Sequence, residues 1–376
     1  MESAVYLDHN ATTPVRPEAA RAVASALALT GNGSSVHRFG RLVRRTIEDA
    51  RERVAALVEA EPAHVLFTSG GTEANTLALT GCGRGRVVVS AIEHVSVLHA
   101  TESPEIVPVD TKGIVDLAAL ERLLATSPEP AVVSVMIANN ETGVLQPVAE
   151  AAALARRYGA LVHCDAVQAA GKVPIDVKDL GVHMLTLSAH KIGGPAGIGA
   201  LVVAPEVRLH ARIRGGGQER GHRAGTENAS GIAGFGAAAE HAANEFERID
   251  GLAAWRDRLE NAVTAMAPGV RVFGRTADRL PNTTCLSMPG VDSETQVIAF
   301  DLEGVAVSAG AACSSGRVAR SHVLAAMGIA EEDARCAIRV SLGRTTEERD
   351  VARFIEAWGA IFSRAGVGRL GAKPAA

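Results

Sequence analysis

The sequence predicts an α/β protein, an open sheet with helices packed on it, and three observations carry that expectation. Short apolar runs alternate with helical patterns from residue 65 to residue 204, the order that builds such a sheet. One of them, Ala131-Val-Val-Ser-Val-Met-Ile-Ala138, reads as a single long apolar run, as in a strand buried on both faces. Run after run ends on a polar group: Thr68 and Ser69, His94, Asn140, Asp165, then Ser188 and His190. In open α/β sheets ligands bind where strand ends converge.

Composition narrows the class. The 376 residues suffice for two domains, or one large and one small. Apolar residues make up 47% and aromatics only 3%, which suits close backbone packing in an α/β enzyme. The net charge of −4 implies no broad basic field, so no direct nucleic-acid partner is expected. The first residues lack a basic segment followed by an apolar core, and no apolar run approaches a bilayer span. Five dispersed cysteines, Cys82, Cys164, Cys285, Cys313 and Cys336, lack metal-ligand spacing. They argue for a reducing compartment, hence a cytoplasmic protein without a membrane partner.

Taken in order, residues 5–14 form a short extended piece ending in a polar turn. Pro17 opens a helix to about residue 29, since proline suits the first helical turn. Residues 31–40 are a loop by composition. Residues 41–60 form a helix, because Val43, Ile47, Ala50, Val54 and Leu57 share one face. Residues 65–68 are a strand. Ser69-Gly-Gly-Thr72 then starts a helix whose free N–H groups either bind a phosphate, with Thr72 adding a hydroxyl, or are simply capped. The strand 86–92 ends at Glu93-His94. That histidine is a satisfied core residue, a base, or a flat ring stacked on a ligand. A short strand at 107–109, a helix at 116–124, the run 131–138 and a helix at 149–158 follow. The strand 161–165 ends on the Asp165 carboxylate, with Gln168 three residues later.

The chemistry centres on Leu185-Thr-Leu-Ser-Ala-His-Lys-Ile-Gly-Gly-Pro-Ala-Gly-Ile-Gly199. A strand at 184–187 runs into Ser188, Ala189, His190 and Lys191, and a glycine-rich turn leads to the next strand, 198–204. A lysine in such a tight connection can lose solvent and become a nucleophile. Ser188 and His190 are donors suited to a phosphate. The alternative is a hairpin with a surface lysine. Beyond Glu227 an alanine-rich helix is expected to reach about residue 248 and continue past 252. Strands at 283–288, 305–308 and 337–341 and helices near 294–302, 320–327 and 347–363 complete the chain.

Together these segments resemble the cysteine desulfurase family, which shares its fold with the pyridoxal-phosphate aminotransferases. The motifs are Tyr6-Leu-Asp8 with Ala11-Thr-Thr-Pro14, Phe67-Thr-Ser-Gly-Gly-Thr-Glu-Ala-Asn75, Asn139-Asn-Glu-Thr-Gly143 and His163-Cys-Asp-Ala-Val-Gln168. They continue with Ser188-Ala-His-Lys-Ile-Gly-Gly-Pro195, Arg214-Gly-Gly-Gly-Gln-Glu219 with Arg223-Ala-Gly-Thr226, Ser308-Ala-Gly-Ala-Ala-Cys-Ser-Ser-Gly316 and Ile338-Arg-Val-Ser-Leu-Gly-Arg344. All eight run in the family's order over nearly the whole chain.

The resemblance implies the fold-type-I architecture of pyridoxal-phosphate enzymes: a mainly parallel seven-stranded sheet in a large domain, residues 15–250, and a smaller α+β domain from residues 1–14 and 251–376. It implies pyridoxal 5'-phosphate held by Lys191 as a Schiff base. Asp165 would face the ring nitrogen, and His94 would cover the ring and transfer protons. Asn140 and Gln168 would bond the ring oxygen, while Gly71, Thr72, Ser188 and His190 would hold the phosphate. Thr226 would reach the phosphate of the partner in a homodimer. Arg339 would pair with the carboxylate of L-cysteine, with Asn140 beside it. Cys313 would take the sulfur as a persulfide, with Arg317, Arg320 and His322 as candidates for lowering its pKa. The other four cysteines would be packing residues.

The expected reaction is therefore L-cysteine to L-alanine, with sulfur passed to an iron–sulfur scaffold or sulfur-carrier protein. Cys313 would touch a cluster transiently when such a scaffold docks; no standing metal site is expected. Two departures from the family pattern stand out: Val318-Ala-Arg320 replaces the usual Leu-Glu-Pro, and Ala196 replaces a common lysine. The nearest rival is a selenocysteine lyase or another pyridoxal-phosphate enzyme of this fold. A nucleotide-binding protein would need a full phosphate-loop motif, which is absent. A passive sulfur carrier would leave Lys191 and Asp165 without a role.

Overall fold

The computed structural model describes residues 4–310 and 320–365. Its strands, in chain order, begin with β1 (Val5–Tyr6), β2 (Val65–Thr68), β3 (Arg86–Ser90), β4 (Glu105–Val107), β5 (Ala131–Ser134), β6 (Leu161–Asp165), β7 (Met184–Ser188) and β8 (Gly199–Val203). Seven of them form one sheet in the order β2-β8-β7-β6-β5-β3-β4. β8 runs antiparallel to β2 and β7, and the other pairings are parallel. This is the mainly parallel fold-type-I sheet.

Side-chain alternation explains why the strands read as apolar throughout. Val88, Val133, Val162 and Leu185 enter one core with the helices Arg38–Ala56 and Ala229–Ala243. Val87, Val89, Val132, Leu161 and Met184 enter another, with the helix Gly71–Gly81. Each strand thus buries both faces, so no polar alternation survives in its sequence.

The C-terminal part is built on β9 (Val272–Phe273), β10 (Thr283–Ser287), β11 (Val305–Ala306), β12 (Ser308–Ala309) and β13 (Ala337–Ser341). Four of these pair antiparallel in the order β12-β13-β10-β9. A separate apolar core covers them, with Phe300 stacked on Phe354 at 5.0 Å and Trp358 fully buried. β11 pairs in parallel with β1, so the N-terminal strand joins this part.

Several boundaries differ from expectation. The second helix is Arg38–Ala56, not 41–60: the His37 ring accepts from Gly40 N and caps the helix before its apolar periodicity begins. The alanine-rich helix is three helices, Ala229–Ala243, Phe246–Asp250 and Leu252–Met266. It stops at Asn244, whose side chain turns back onto the Glu240 carbonyl, and the next residue, Glu245, is drawn to Arg16. The run 305–308 divides between two sheets. The run 131–138 leaves regular pairing after Ser134, yet Val135 N and Ile137 N still bond His163 O and Asp165 O, carrying the chain along β6 to Asn139.

Candidate active site

β2, β3, β5, β6 and β7 point the same way, and the residues just past their ends line one cavity of about 290 Å³. Gly71, Thr72, His94, Asn140, Asp165, Gln168, Ser188, His190 and Lys191 all line it. The resemblance implies that these nine surround one cofactor, and in the structure all nine line the one cavity.

Lys191 ends a single tight turn, Ala189–Lys191, directly after β7. Gly193 then takes φ 86°, and a Cβ there would meet the Arg16 side chain at 2.7 Å. Only glycine lets the chain turn so close to that arginine. The Lys191 amine donates to the carbonyls of Asn10 at 2.6 Å and Ala11 at 2.7 Å.

One end of the cavity suits an anion. The helix Gly71–Gly81 starts at Gly70, which offers no side-chain cap for its first N–H groups, and Gly71, Thr72 and Ser188 line the cavity there. A Cβ at Gly71 would stand 3.1 Å from Val167, so the floor there is closely fitted. Glu73, in the first turn, is drawn aside by Ser69 N and Arg223. His190 bonds Thr12 Oγ1 at 3.3 Å; burial and then Lys191 push its pKa down to about 4, so it is a neutral donor or acceptor.

The other end holds the carboxyl group of Asp165. Its Oδ1 accepts from Val167 N at 2.9 Å and its Oδ2 from Asn75 Nδ2 at 2.8 Å. Asn75 also donates to Ser96 Oγ at 2.9 Å. The Ser96 hydroxyl then has its own proton for His94 Nδ1, 2.7 Å away, and Ser96 N points at the same nitrogen. Two donors on Nδ1 place the imidazole proton on Nε2. Burial lowers the His94 pKa, and the ring is neutral at pH 7. Asp165 and His94 are thus ends of one hydrogen-bonded relay.

Other expected residues stand as follows. Gln168 lines the cavity, but its amide is engaged with Asn10 O and Lys172. Arg339 is buried and donates to Asn140 O at 3.0 Å and to Asp8 Oδ1 at 2.8 Å. Thr226 lies outside this cavity, exposed, in a second pocket with Phe67, Glu219 and Glu227. Cys313 and Arg317 fall outside the described residues. Arg320 pairs with Glu331, and burial lowers the pKa of His322, whose ring bonds Glu93 O. Cys82, Cys164, Cys285 and Cys336 are free and buried, as packing residues should be.

Asn75, Ser96, Asn10 and Lys172 were missed. Asn75 had a signal, since it lies one helical turn beyond Thr72 and so faces the same side. The others had none. Among the described residues no cluster of His, Cys, Asp or Glu could hold a metal ion, and no helix is long and apolar enough to cross a membrane.

The donor set fits pyridoxal 5'-phosphate. An amine, a carboxyl group buried opposite a neutral imidazole, and an uncapped helix start surround a cavity near the size of small-ligand sites, about 300 Å³ upward. The buried Oδ1 of Asn140 has no protein hydrogen-bond partner, which leaves a polar atom for a bound molecule.

Comparison with known proteins agrees. The aminotransferase class-V family model matches residues 5–354. A cysteine desulfurase of Cereibacter sphaeroides is 45% identical over 94% of each chain. The structure of a NifS-like protein from Rickettsia africae superposes with a TM-score of 0.89 at 37% identity, covering 96% of this chain and 99% of that one. That of SspA in complex with cysteine gives 0.77 at 30% identity, covering 90% and 98%. With motif order, sheet topology and site geometry in agreement, the chain belongs to the class-V aminotransferases, in their cysteine desulfurase branch.

Proposed function

We propose that the protein converts L-cysteine to L-alanine and keeps the sulfur as a persulfide on Cys313. The convergence of the Lys191 amine, the Asp165 carboxyl group and an uncapped helix start on one cavity carries this reading. The balance is simple: enzyme thiol plus cysteine gives enzyme persulfide plus alanine. The C–S bond of the substrate breaks, an S–S bond forms, and a proton replaces sulfur on the carbon.

Pyridoxal 5'-phosphate, when bound, supplies the electron sink this bond cleavage needs. The chain supplies the rest. Lys191 anchors the cofactor and carries protons to and from the substrate carbon. Asp165, held by Asn75 and Val167 N, keeps a proton on the ring nitrogen. His94 would offer its Nε2–H to the bound cofactor. Gly71, Thr72, Ser188 and His190 hold the phosphate, and Asn140 and Gln168 the ring oxygen. Arg339 takes the substrate carboxylate, exchanging its Asp8 contact for it. Cys313 attacks the sulfur.

A homodimer and a protein sulfur acceptor complete the proposal. Exposed Thr226 would reach the partner's phosphate. The Arg44–Glu227 contact ties its loop to a helix whose start exposes Val36, Phe39 and Leu42. Residues 15–250 would act as the large domain, and residues 1–14 with 251–376 as the small one, consistent with the separate apolar cores. Transfer to iron–sulfur assembly would follow in the cytoplasm.

The test is a visible spectrum of the purified protein with added pyridoxal phosphate. A band is expected, and Lys191→Ala should lose it. Cys313→Ala should keep the band and release no sulfur. A wild type that stays colourless, or a fully active Cys313→Ala, overturns the reading.

A further inference from the structure

Lys172 stands behind the cavity, on the turn after Gly171, and none of the roles above uses it. It is 9% exposed. Its amine donates to two amide oxygens, Asn10 Oδ1 at 2.7 Å and Gln168 Oε1 at 3.0 Å. Among the described residues it makes no ion pair. Burial, then the neighbouring Lys191 and Arg339 cations, hold its amine well below the ordinary lysine range. A buried amine without a carboxylate is costly as mere packing, and methionine would fill similar space without that cost. Two of its N–H groups are used here, one on each oxygen.

Those two bonds orient amides. The oxygen and nitrogen ends of a glutamine have nearly the same shape, so its neighbours decide which way it faces. Lys172 donates, so Gln168 Oε1 must face it. The Asn10 carbonyl only accepts, so Gln168 Nε2 must face that, at 3.0 Å. The two neighbours agree on one orientation. One N–H of Gln168 is spent on Asn10 O; the second stays on the same nitrogen, in a side chain that lines the cavity. Without Lys172 the Gln168 oxygen loses its donor, and the Asn10 carbonyl alone is left to hold the orientation.

We propose that Lys172 is a positioning residue, which locks the Gln168 amide so that an N–H and not the carbonyl is offered to the ring oxygen of the cofactor. This rests on the proposed pyridoxal-phosphate function. An N–H favours the anionic ring oxygen and a carbonyl opposes it, so the lock sets the pH at which the bound cofactor changes protonation.

The experiment titrates the visible band of the pyridoxal-phosphate-loaded protein with pH. Lys172→Met should move the midpoint upward by about one pH unit, the size expected for losing a hydrogen bond to a charged oxygen. Gln168→Leu should move it similarly, and adding Lys172→Met to Gln168→Leu should add nothing. Lys172→Gln keeps neutral donors at that place and should restore the wild-type midpoint, which a loss of charge alone would not allow. An unmoved midpoint in Lys172→Met, additive shifts, or a Lys172→Gln that behaves like Lys172→Met each overturns the proposal. If Lys172→Met does not fold, Lys172→Gln and Gln168→Leu decide it: the first must keep the midpoint and the second must move it. A wild type with no visible band refutes the proposed function instead, so the two failures are distinct.

Discussion

Glu93 makes the fold sensitive to alkaline pH, and replacing it with glutamine should remove that sensitivity. The side chain lies between β3 and His94 and is 0% exposed. Its Oε1 accepts from Ser90 Oγ at 2.6 Å and from Met136 N at 2.8 Å. Its Oε2 is buried with no hydrogen-bond partner. One oxygen is served and the other is not, which suits a neutral acid and penalises an anion. Burial, offset in part by those two bonds, raises its pKa from 4.5 to about 8, with Asp165 adding to the rise. Between those values the folded protein holds a proton that the unfolded chain has lost. Stability is therefore complete below the unfolded value and falls as pH rises toward the folded one. The slope is about 1.4 kcal/mol per pH unit, which makes roughly 2.5 kcal/mol between pH 6 and pH 8. Glu93→Gln keeps the accepting oxygen and has no proton to lose. Urea unfolding of both proteins at several pH values reads the difference directly. The wild type should lose stability relative to the variant between pH 6 and pH 8. Two pH profiles that stay parallel across that range would refute the reasoning.

Three further outcomes are expected. Glu219 holds Arg51 with both carboxylate oxygens and bonds Phe67 N, and the side chains of the pair are 3% and 2% exposed; Glu219→Ala leaves that buried cation only its exposed partner Glu48 and the Val65 carbonyl, and should cost up to about 3–5 kcal/mol by denaturant unfolding. Ser96→Ala removes the hydroxyl between Asn75 and His94, and steady-state kinetics should show kcat down about tenfold or more with KM for cysteine little changed. Arg339→Lys loses the guanidinium fork, so KM for cysteine should rise by about thirtyfold or more, while the visible band of bound pyridoxal phosphate persists.

What the sequence revealed follows from where each signal resides. Strand ends were legible because a polar residue after an apolar run marks an edge whatever packs around it. Asp165, His94 and Lys191 were found that way, and so was the cavity they share. Helix limits near Arg38 and Asn244 were not, because a cap or a turned-back side chain overrides the apolar period. The supporting residues were harder still. Lys172 meets Gln168 four positions earlier, but it also meets Asn10, 162 positions away, and no local pattern encodes that meeting. Ser96 looks like any helix-start serine until Asn75 arrives from another element. Residues that touch a cofactor sit in motifs; residues that aim them are scattered, because geometry and not spacing unites them.

Residues 5–16 tie the two parts of the chain together. β1 pairs with β11 in the C-terminal part. Two residues on, Asp8 holds Arg339. Asn10 N reaches Ser341 Oγ and its side chain reaches Thr283, both in that same part, while its carbonyl and that of Ala11 hold the Lys191 amine in the large sheet. Thr13 N bonds His190 O, and Arg16 bonds Ile192 O and Gly193 O, so the segment is pinned again just beyond Lys191. This short backbone therefore joins the C-terminal sheet to the carbonyls that cradle the lysine. On the proposed function, a substrate carboxylate that draws Arg339 from Asp8 would loosen the same segment from the other side. The Asp8 contact to Arg339 and the carbonyls that hold the Lys191 amine thus lie on one stretch of backbone, and on the proposed function carboxylate binding and release of that amine would be linked through it, with no contact needed between the two side chains.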